Sequence, residues 1–268
     1  MPLWTWKSNQ DRPYLTCTLL PQPHGFFTQA FYPEPPMALA KLLNQTAQVY
    51  RVKQVHSGDV LTPTEIEQAV AAGLPKLKGG TTAPFPLADG IVTEAPNQAV
   101  WACSADCTPA LISDIATGQV AAVHAGWRGT AKKILPSAIA RLLRQGSQLN
   151  NLRVALGPAI DGSVYQVEHP VAAKVGATVA TTVAAKSSTR ELLNHLIALE
   201  DSPLLEDMQA NRVRLDVRKI NQMQLEQIGL APEQIAIAPH CTYQEPDRFF
   251  SYRRTREKKV QWSGIVSH

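Results

Sequence analysis

Four short apolar runs crowd into 35 residues in the middle of the chain: Gly90 to Thr93, Ala99 to Cys103, Ala110 to Asp114 and Gln119 to His124. Runs this short cannot be long helices, and their β-branched content reads as buried strands. Thr117-Gly118 stands between the last two as a hairpin turn. The centre is therefore a sheet, and the remaining chain must cover it. Tyr14 to Leu20, Val49 to Val55, Leu152 to Leu156, Val213 to Val217 and Ile235 to Ala238 read as further strands. Helices are expected over Met37 to Thr46, Thr64 to Ala72 (capped by Thr64), Thr130 to Gln145, Val171 to Val183, Arg190 to Leu199 and Arg218 to Ile228. Gly73 to Pro86 reads as a Gly/Pro/Lys-rich loop. Strands joined by tight turns, alternating with helices, argue for an α/β (α+β) fold with mixed sheets enclosed by helices. No Pro/Ser/Gly linker divides the chain, so a single domain over 1–268 is expected.

Composition excludes several classes. With 268 residues, 44% hydrophobic and 18% charged, the chain has enough apolar mass for a core and too little charge for wholesale disorder. Four cysteines are too few for a disulfide scaffold, which points to a reducing compartment, the cytoplasm. No apolar stretch is long enough to span a membrane, and MPLWTWKSNQDRP lacks the apolar core of a signal peptide. The net charge of +4 is concentrated: Arg248 to Lys259 holds six basic residues against one acid. That strip interleaves aromatics with cations and could bind RNA. It could equally be a strand with one solvated face, or an arginine pair, Arg253 and Arg254, that clamps a phosphate or a sugar. With the remaining chain near neutral, a small anionic ligand fits the strip better than a nucleic-acid surface.

Chemistry-bearing residues gather at strand ends. Cys107 precedes the first strand of the central hairpin and His124 closes the second, so pairing around Thr117-Gly118 brings both to one end of the sheet. A thiolate and an imidazole there are natural zinc ligands. His56, after the Val49 to Val55 run, would make three and leave a fourth position open, the pattern of catalytic zinc. Bound zinc lowers the pKa of its water to about 7. The same Cys107 and His124 could instead be a nucleophile and its base in a cysteine hydrolase, and spacing does not separate the two. Gly126-Trp127-Arg128-Gly129-Thr130 could gather backbone N–H groups and a guanidinium around an anion, or be a plain strand-to-helix turn.

Taken together, several motifs match a known pattern in order along the chain. They are His24-Gly25-Phe26-Phe27-Thr28, Gln54-Val55-His56-Ser57, Ala88-Asp89-Gly90, Ala105-Asp106-Cys107-Thr108-Pro109 and His124-Ala125-Gly126-Trp127-Arg128-Gly129. Gly157-Pro158, Tyr165-Gln166-Val167, Cys241-Thr242 and Phe250-Ser251-Tyr252-Arg253-Arg254 follow. The set resembles the bacterial laccase-domain family, also called multicopper polyphenol oxidoreductase-like. Its members were later reassigned as zinc-dependent purine nucleoside phosphorylases with adenosine deaminase activity. The resemblance implies that His56, Cys107 and His124 are the metal ligands, that the fold is a layered α-β-β-α arrangement, and that a nucleoside pocket lies at the metal. Purine nucleosides (adenosine, inosine, guanosine, methylthioadenosine) and phosphate are the implied partners of a monomer or small homo-oligomer.

On this reading Arg128, with Arg253, Arg254 and Gln54, would hold phosphate and substrate. Asp106 is the candidate proton shuttle beside Cys107 and His124. Two departures stand out. Many relatives carry an Arg and then Gly-Gly after the Phe-x-Thr element, where this chain has Gln29-Ala30-Phe31-Tyr32-Pro33. Many also carry Thr-Gly-Arg after the arginine pair, where this chain has Glu257-Lys258-Lys259-Val260. A copper polyphenol oxidase is the alternative the older name suggests, but seven histidines, two of them in the site, are few for several coppers.

Overall fold

Alternation along the central strands decides the architecture. In Val120–Ala125, Val120 and Ala122 point to one side while Ala121, Val123 and Ala125 point to the other, and all five are buried. A strand buried on both faces must be covered twice. The computed structural model, which describes residues 3–77 and 79–268, shows both coverings. On one side, Val120 and Ala122 join Ile91, Leu111 and Ala155 against Leu15, Phe26, Val100 and Ile265 of a second sheet. On the other, Ala121, Val123 and Ala125 pack under Ile134, Leu135, Ala138, Ile139 and Leu142 of a helix.

The first sheet has the strand order Trp4–Asn9, Arg12–Cys17, His24–Phe27, Gln261–Val266, Gln98–Ser104, Gln48–Tyr50. The second runs Ile235–Ile237, Leu152–Leu156, Thr108–Asp114, Val120–Ala125, Gly90–Val92, Val60–Leu61. Most neighbours are antiparallel, but Gln48–Tyr50, Val60–Leu61 and Ile235–Ile237 each pair in parallel, so both sheets are mixed. The outer face of the first sheet packs Phe27, Ala99 and Trp101 against Leu39 and Ala40 of the helix Pro36–Leu43. Helix, sheet, sheet, helix is the expected layering. A third sheet of Gln166–Glu168, Arg212–Leu215 and Leu204–Glu206 has its own apolar cluster with His169–Gly176 and Thr189–Ile197.

The hairpin forms where expected. Thr108 pairs with Ala125 and Pro109 with His124, and Gly118 takes φ +75°, a value that favours glycine. Several boundaries differ from expectation for local reasons. The expected Thr130 to Gln145 helix is split into Trp127–Thr130 and Ile134–Arg144, with Lys133 left-handed between them. Pro136 forces this: it lacks an N–H and tolerates only the first turn, where the restarted helix places it. The helix expected over Thr64 to Ala72 begins at Pro63, and its cap is Thr62, not Thr64. The Thr62 hydroxyl accepts from Glu65 N–H while the Glu65 carboxylate accepts from Thr62 N–H. The expected Val171 to Val183 helix is two pieces, His169–Gly176 and Thr181–Ala184. Trp4–Asn9, a half-exposed edge strand, has no counterpart among the expected elements. In the 73–86 loop, Lys76 bridges Thr82, while position 78 lies outside the described residues. Among the described residues no helix is long and apolar enough to cross a membrane.

Candidate metal centre and active site

Strand register carries three polar side chains to one end of the second sheet. Ile91, Leu111 and Ala122 face the space between the sheets. Residues two positions on, Asp89, Pro109 and His124, keep that parity as the strands run out. Cys107 lies just before Thr108, opposite Ala125. The ligand atoms of His56, Cys107 and His124 all lie within 4.8 Å of one another. His56 and His124 meet edge to face, with ring centroids 5.0 Å apart. The folded chain thus brings together the three residues expected as ligands.

Asp89, which entered the sequence reading only as part of a motif, holds the cluster together. Its carboxylate, 1% exposed, accepts the N–H groups of Val55 (3.1 Å), His56 (3.0 Å) and Ser57 (2.6 Å). His56 adopts φ +59°, and this left-handed residue lets consecutive N–H groups converge on one anion. The same carboxylate takes the Nδ1 proton of His124 at 2.8 Å, and the Asp89 carbonyl accepts His124 N–H. One acid thus orients one imidazole and anchors the backbone that bears the other. With Nδ1 engaged, His124 offers Nε2 to a ligand, the arrangement metal-binding histidines use.

The charges of the site reinforce one another. Burial pushes the Asp89 carboxyl up, but its bond to His124, the charge there and the converging N–H groups outweigh burial and hold it below the usual carboxylate range. Burial also pushes the Cys107 thiol up, yet the neighbouring imidazoles prevail and bring it down to about 6. His124 is driven the other way: against burial, Cys107 and then Asp89 favour its protonated form. A thiolate favoured by its surroundings is what metal binding requires.

Gly126 provides the room. A Cβ there would lie 2.5 Å from the Cys107 sulfur and 3.7 Å from His124 Nε2, so the sulfur occupies the space a side chain would fill. A soft thiolate and two imidazoles, one of them backed by a carboxylate, fit a metal ion, and three ligands leave a position for substrate or water. Among the described residues this is the only such group of three. All four cysteines are free thiols.

Over Cys107 opens a cleft lined by Asp106, Trp127, Ile160, Tyr165 and Val217. Arg128 is exposed beside it, its guanidinium 4.3 Å from the Trp127 ring. Arg253 lies 4.7 Å over Tyr165 and donates to the Gln166 carbonyl. Tyr165 and Trp127, which sequence reasoning did not assign to the site, thus form its walls. The Tyr-Gln-Val and Gly-Trp-Arg-Gly motifs were the available signal.

Other expected site residues serve the scaffold. The Gln54 side chain bonds both backbone groups of Cys103, each at 2.8 Å, so its amide clamps a strand. Arg254 donates to the carbonyls of Thr242, Tyr243 and Phe249, tying down a loop where a phosphate clamp was expected. Asp106, at φ +96°, accepts from the Thr242 hydroxyl (2.8 Å) and the Arg253 N–H (2.6 Å), which uses both carboxylate oxygens. The basic strip is not a continuous surface: Arg248 pairs with Glu245 and stacks on Trp6, while Arg253 and Arg254 turn inward.

Residues 36–266 match the family model described as multi-copper polyphenol oxidoreductase laccase. The chain belongs to this family. Over 267 residues it is 51% identical to the purine nucleoside phosphorylase slr1573 of Synechocystis sp. (strain PCC 6803 / Kazusa), spanning 99% of this chain and 98% of that protein. It is 28% identical over 166 residues to the adenosine deaminase RL5 of an unknown prokaryotic organism, spanning 62% of this chain and 56% of that one. The crystal structure of YlmD from Geobacillus stearothermophilus shares the fold, with a TM-score of 0.75 over 98% of both chains at 22% identity.

Proposed function

We propose that this family member is a zinc-dependent purine nucleoside phosphorylase with adenosine deaminase activity. Adenosine, inosine, guanosine and methylthioadenosine are its substrates, and it works in the cytoplasm as one domain over 1–268, a monomer or small homo-oligomer. The observation that carries this reading is the 51% identity, across 99% of the chain, to a purine nucleoside phosphorylase. The His56, Cys107 and His124 cluster supports it by its chemistry, and the likeness to an adenosine deaminase supports the second activity.

In this reading His56, Cys107 and His124 hold the ion, which when bound supplies a Lewis acid against substrate oxygens. The chain's own residues do the remainder. Asp89 keeps the Nδ1 proton of His124 in place, so that ring stays aimed. Trp127 and Tyr165 present flat apolar faces that bind a purine and exclude water. Arg128, exposed at the rim, attracts phosphate and balances its charge while the glycosidic bond breaks. Arg253, stacked behind Tyr165, fixes that wall. Asp106 positions the Cys107 turn and Arg253 through its two hydrogen bonds, a role different from proton shuttling.

Inosine incubated with the enzyme and phosphate should release hypoxanthine, and Cys107→Ser should lose both metal and activity. Full turnover by Cys107→Ser after chelation would overturn the proposal. The family description also names copper, and a Cys with two His suits copper as well as zinc. Metal analysis of protein prepared without added copper separates the two: about one zinc per chain is expected.

A further inference from the structure

A second cavity, of about 250 Å³, opens on the first sheet's helix-covered side, between the segment from Phe31 to Pro35 and Trp262. Its walls are largely apolar: Phe31, Tyr32, Leu39 and Trp262. Two charged side chains reach it. Glu34 is already paired with Arg12. Arg51 has no ion-pair partner among the described residues. Its guanidinium carbon sits 4.3 Å from the Phe85 ring centroid and 4.7 Å from that of Trp262, sandwiched between the two. Among the described residues no acceptor takes a hydrogen bond from it, and its Nε is fully buried without a partner.

The Nε is shut away, so an incoming acceptor must meet the outer edge formed by the two Nη groups, which bond no acceptor among the described residues. Stacking on aromatic faces leaves the guanidinium edge as the only place for an in-plane acceptor, the geometry that selects carboxylate or phosphate oxygens. Burial also lowers the arginine's proton affinity, which an incoming anion would restore. The surrounding walls add a second requirement, because a bare hydrated anion gains nothing from Tyr32, Pro33 and the Trp262 ring. At about 250 Å³ the cavity is smaller than the roughly 300–1,000 Å³ of drug-sized sites, which limits the ligand to about one ring.

We propose that Arg51 and this cavity form a binding site for a small aromatic monocarboxylate, separate from the metal centre. The carboxylate meets the guanidinium edge, and the ring lies against Tyr32 and the exposed part of Trp262. None of these residues belongs to the catalytic cleft, so the site does not depend on the enzymatic reading.

Calorimetric titration of the full-length protein with cinnamate tests it. One-to-one binding is expected, weakened about tenfold or more in Arg51→Gln, because a charge-assisted bidentate contact is lost. Arg51→Lys, which keeps the charge but not the planar fork, should also bind more weakly, and it serves if the glutamine variant does not fold. Cinnamyl alcohol, the same ring without the anion, should give no heat. The proposal fails if millimolar cinnamate does not bind, or if it binds the Arg51 variants equally well. It also fails if inorganic phosphate competes as strongly as cinnamate, since that would make the site a general anion site with no aromatic selectivity.

Discussion

Two buried histidines, 100 positions apart, show how the partner of one ring nitrogen separates a structural residue from a chemical one. His24 and His124 are 8% and 4% exposed, and both engage Nδ1. At His24 the Nδ1 partner is the Gln22 carbonyl at 2.7 Å, and Nε2 accepts the Cys17 N–H at 2.9 Å. A neutral imidazole satisfies both bonds, so the ring stitches the Arg12–Cys17 strand to His24–Phe27 and has nothing left to offer. At His124 the Nδ1 partner is the Asp89 carboxylate, and Nε2 looks onto Cys107 and His56. A carbonyl with an amide completes one ring, whereas a carboxylate behind Nδ1 and a thiolate before Nε2, where a metal ion would displace the proton, make the other a ligand. Burial and residue type are the same in both cases.

The largest test of that difference removes the carboxylate. Asp89→Asn turns an acceptor of four donors into a group that also presents N–H to them. Metal affinity should fall about 10–100-fold, and folding stability by about 3 kcal/mol. Chelator competition and urea unfolding read these two quantities, and wild-type values in both would remove Asp89 from the account of the site.

The next test uses protons. Burial, opposed by the Gln22 carbonyl and aided by Lys7, depresses His24 from about 6.5 to about 4. Between those values the unfolded chain binds the proton and the folded chain does not, so stability rises with pH across that window. Going down in pH, the loss begins near 6.5, is complete near 4, and amounts to about 3 kcal/mol. Unfolding curves across this range should show a steeper acid loss in wild type than in His24→Gln. Parallel slopes would mean that His24 titrates normally.

A smaller effect comes from filling space at the metal end. Gly126→Ala puts a methyl 2.5 Å from the Cys107 sulfur, costing about 1–3 kcal/mol as overpacking. Because the sulfur must move, metal content should drop more than stability does. The mildest change sets a baseline away from both rings. Lys133 is held at φ +56°, and Lys133→Gly should stabilise the fold by about 1 kcal/mol through relief of left-handed strain. A loss of stability there would show that the Lys133 side chain contributes more than its backbone costs.

What the sequence shows on inspection is what neighbours decide. The hairpin between Thr108–Asp114 and Val120–Ala125 follows from two apolar runs and a Thr-Gly turn, and it places Cys107 and His124 at one end without any distant information. The Thr62/Glu65 capping box is also legible in the sequence, but Thr64 beside it offers a competing cap. The family motifs located the remainder without ranking it. Gln54 and Arg254 look as functional in sequence as His56, yet their side chains are bound to backbone groups 49 positions away for Gln54 and up to 12 for Arg254. Trp4–Asn9 alternates half-buried Trp4 and Trp6 with exposed Thr5 and Lys7, and two apolar positions are too short a pattern to mark a strand on their own.

The sequence by itself therefore determined the central hairpin, and with it the meeting of a thiol and an imidazole at one sheet end. Tertiary structure alone decided that Asp89 aims His124 and clamps the backbone of His56, and that Arg51 is left with no acceptor among the described residues. The physical reason is that side-chain polar groups are satisfied through space. A carboxylate accepts whichever donors packing brings within about 3 Å, and for Asp89 these come from residues 32 to 35 positions away. No local pattern in the chain records that choice.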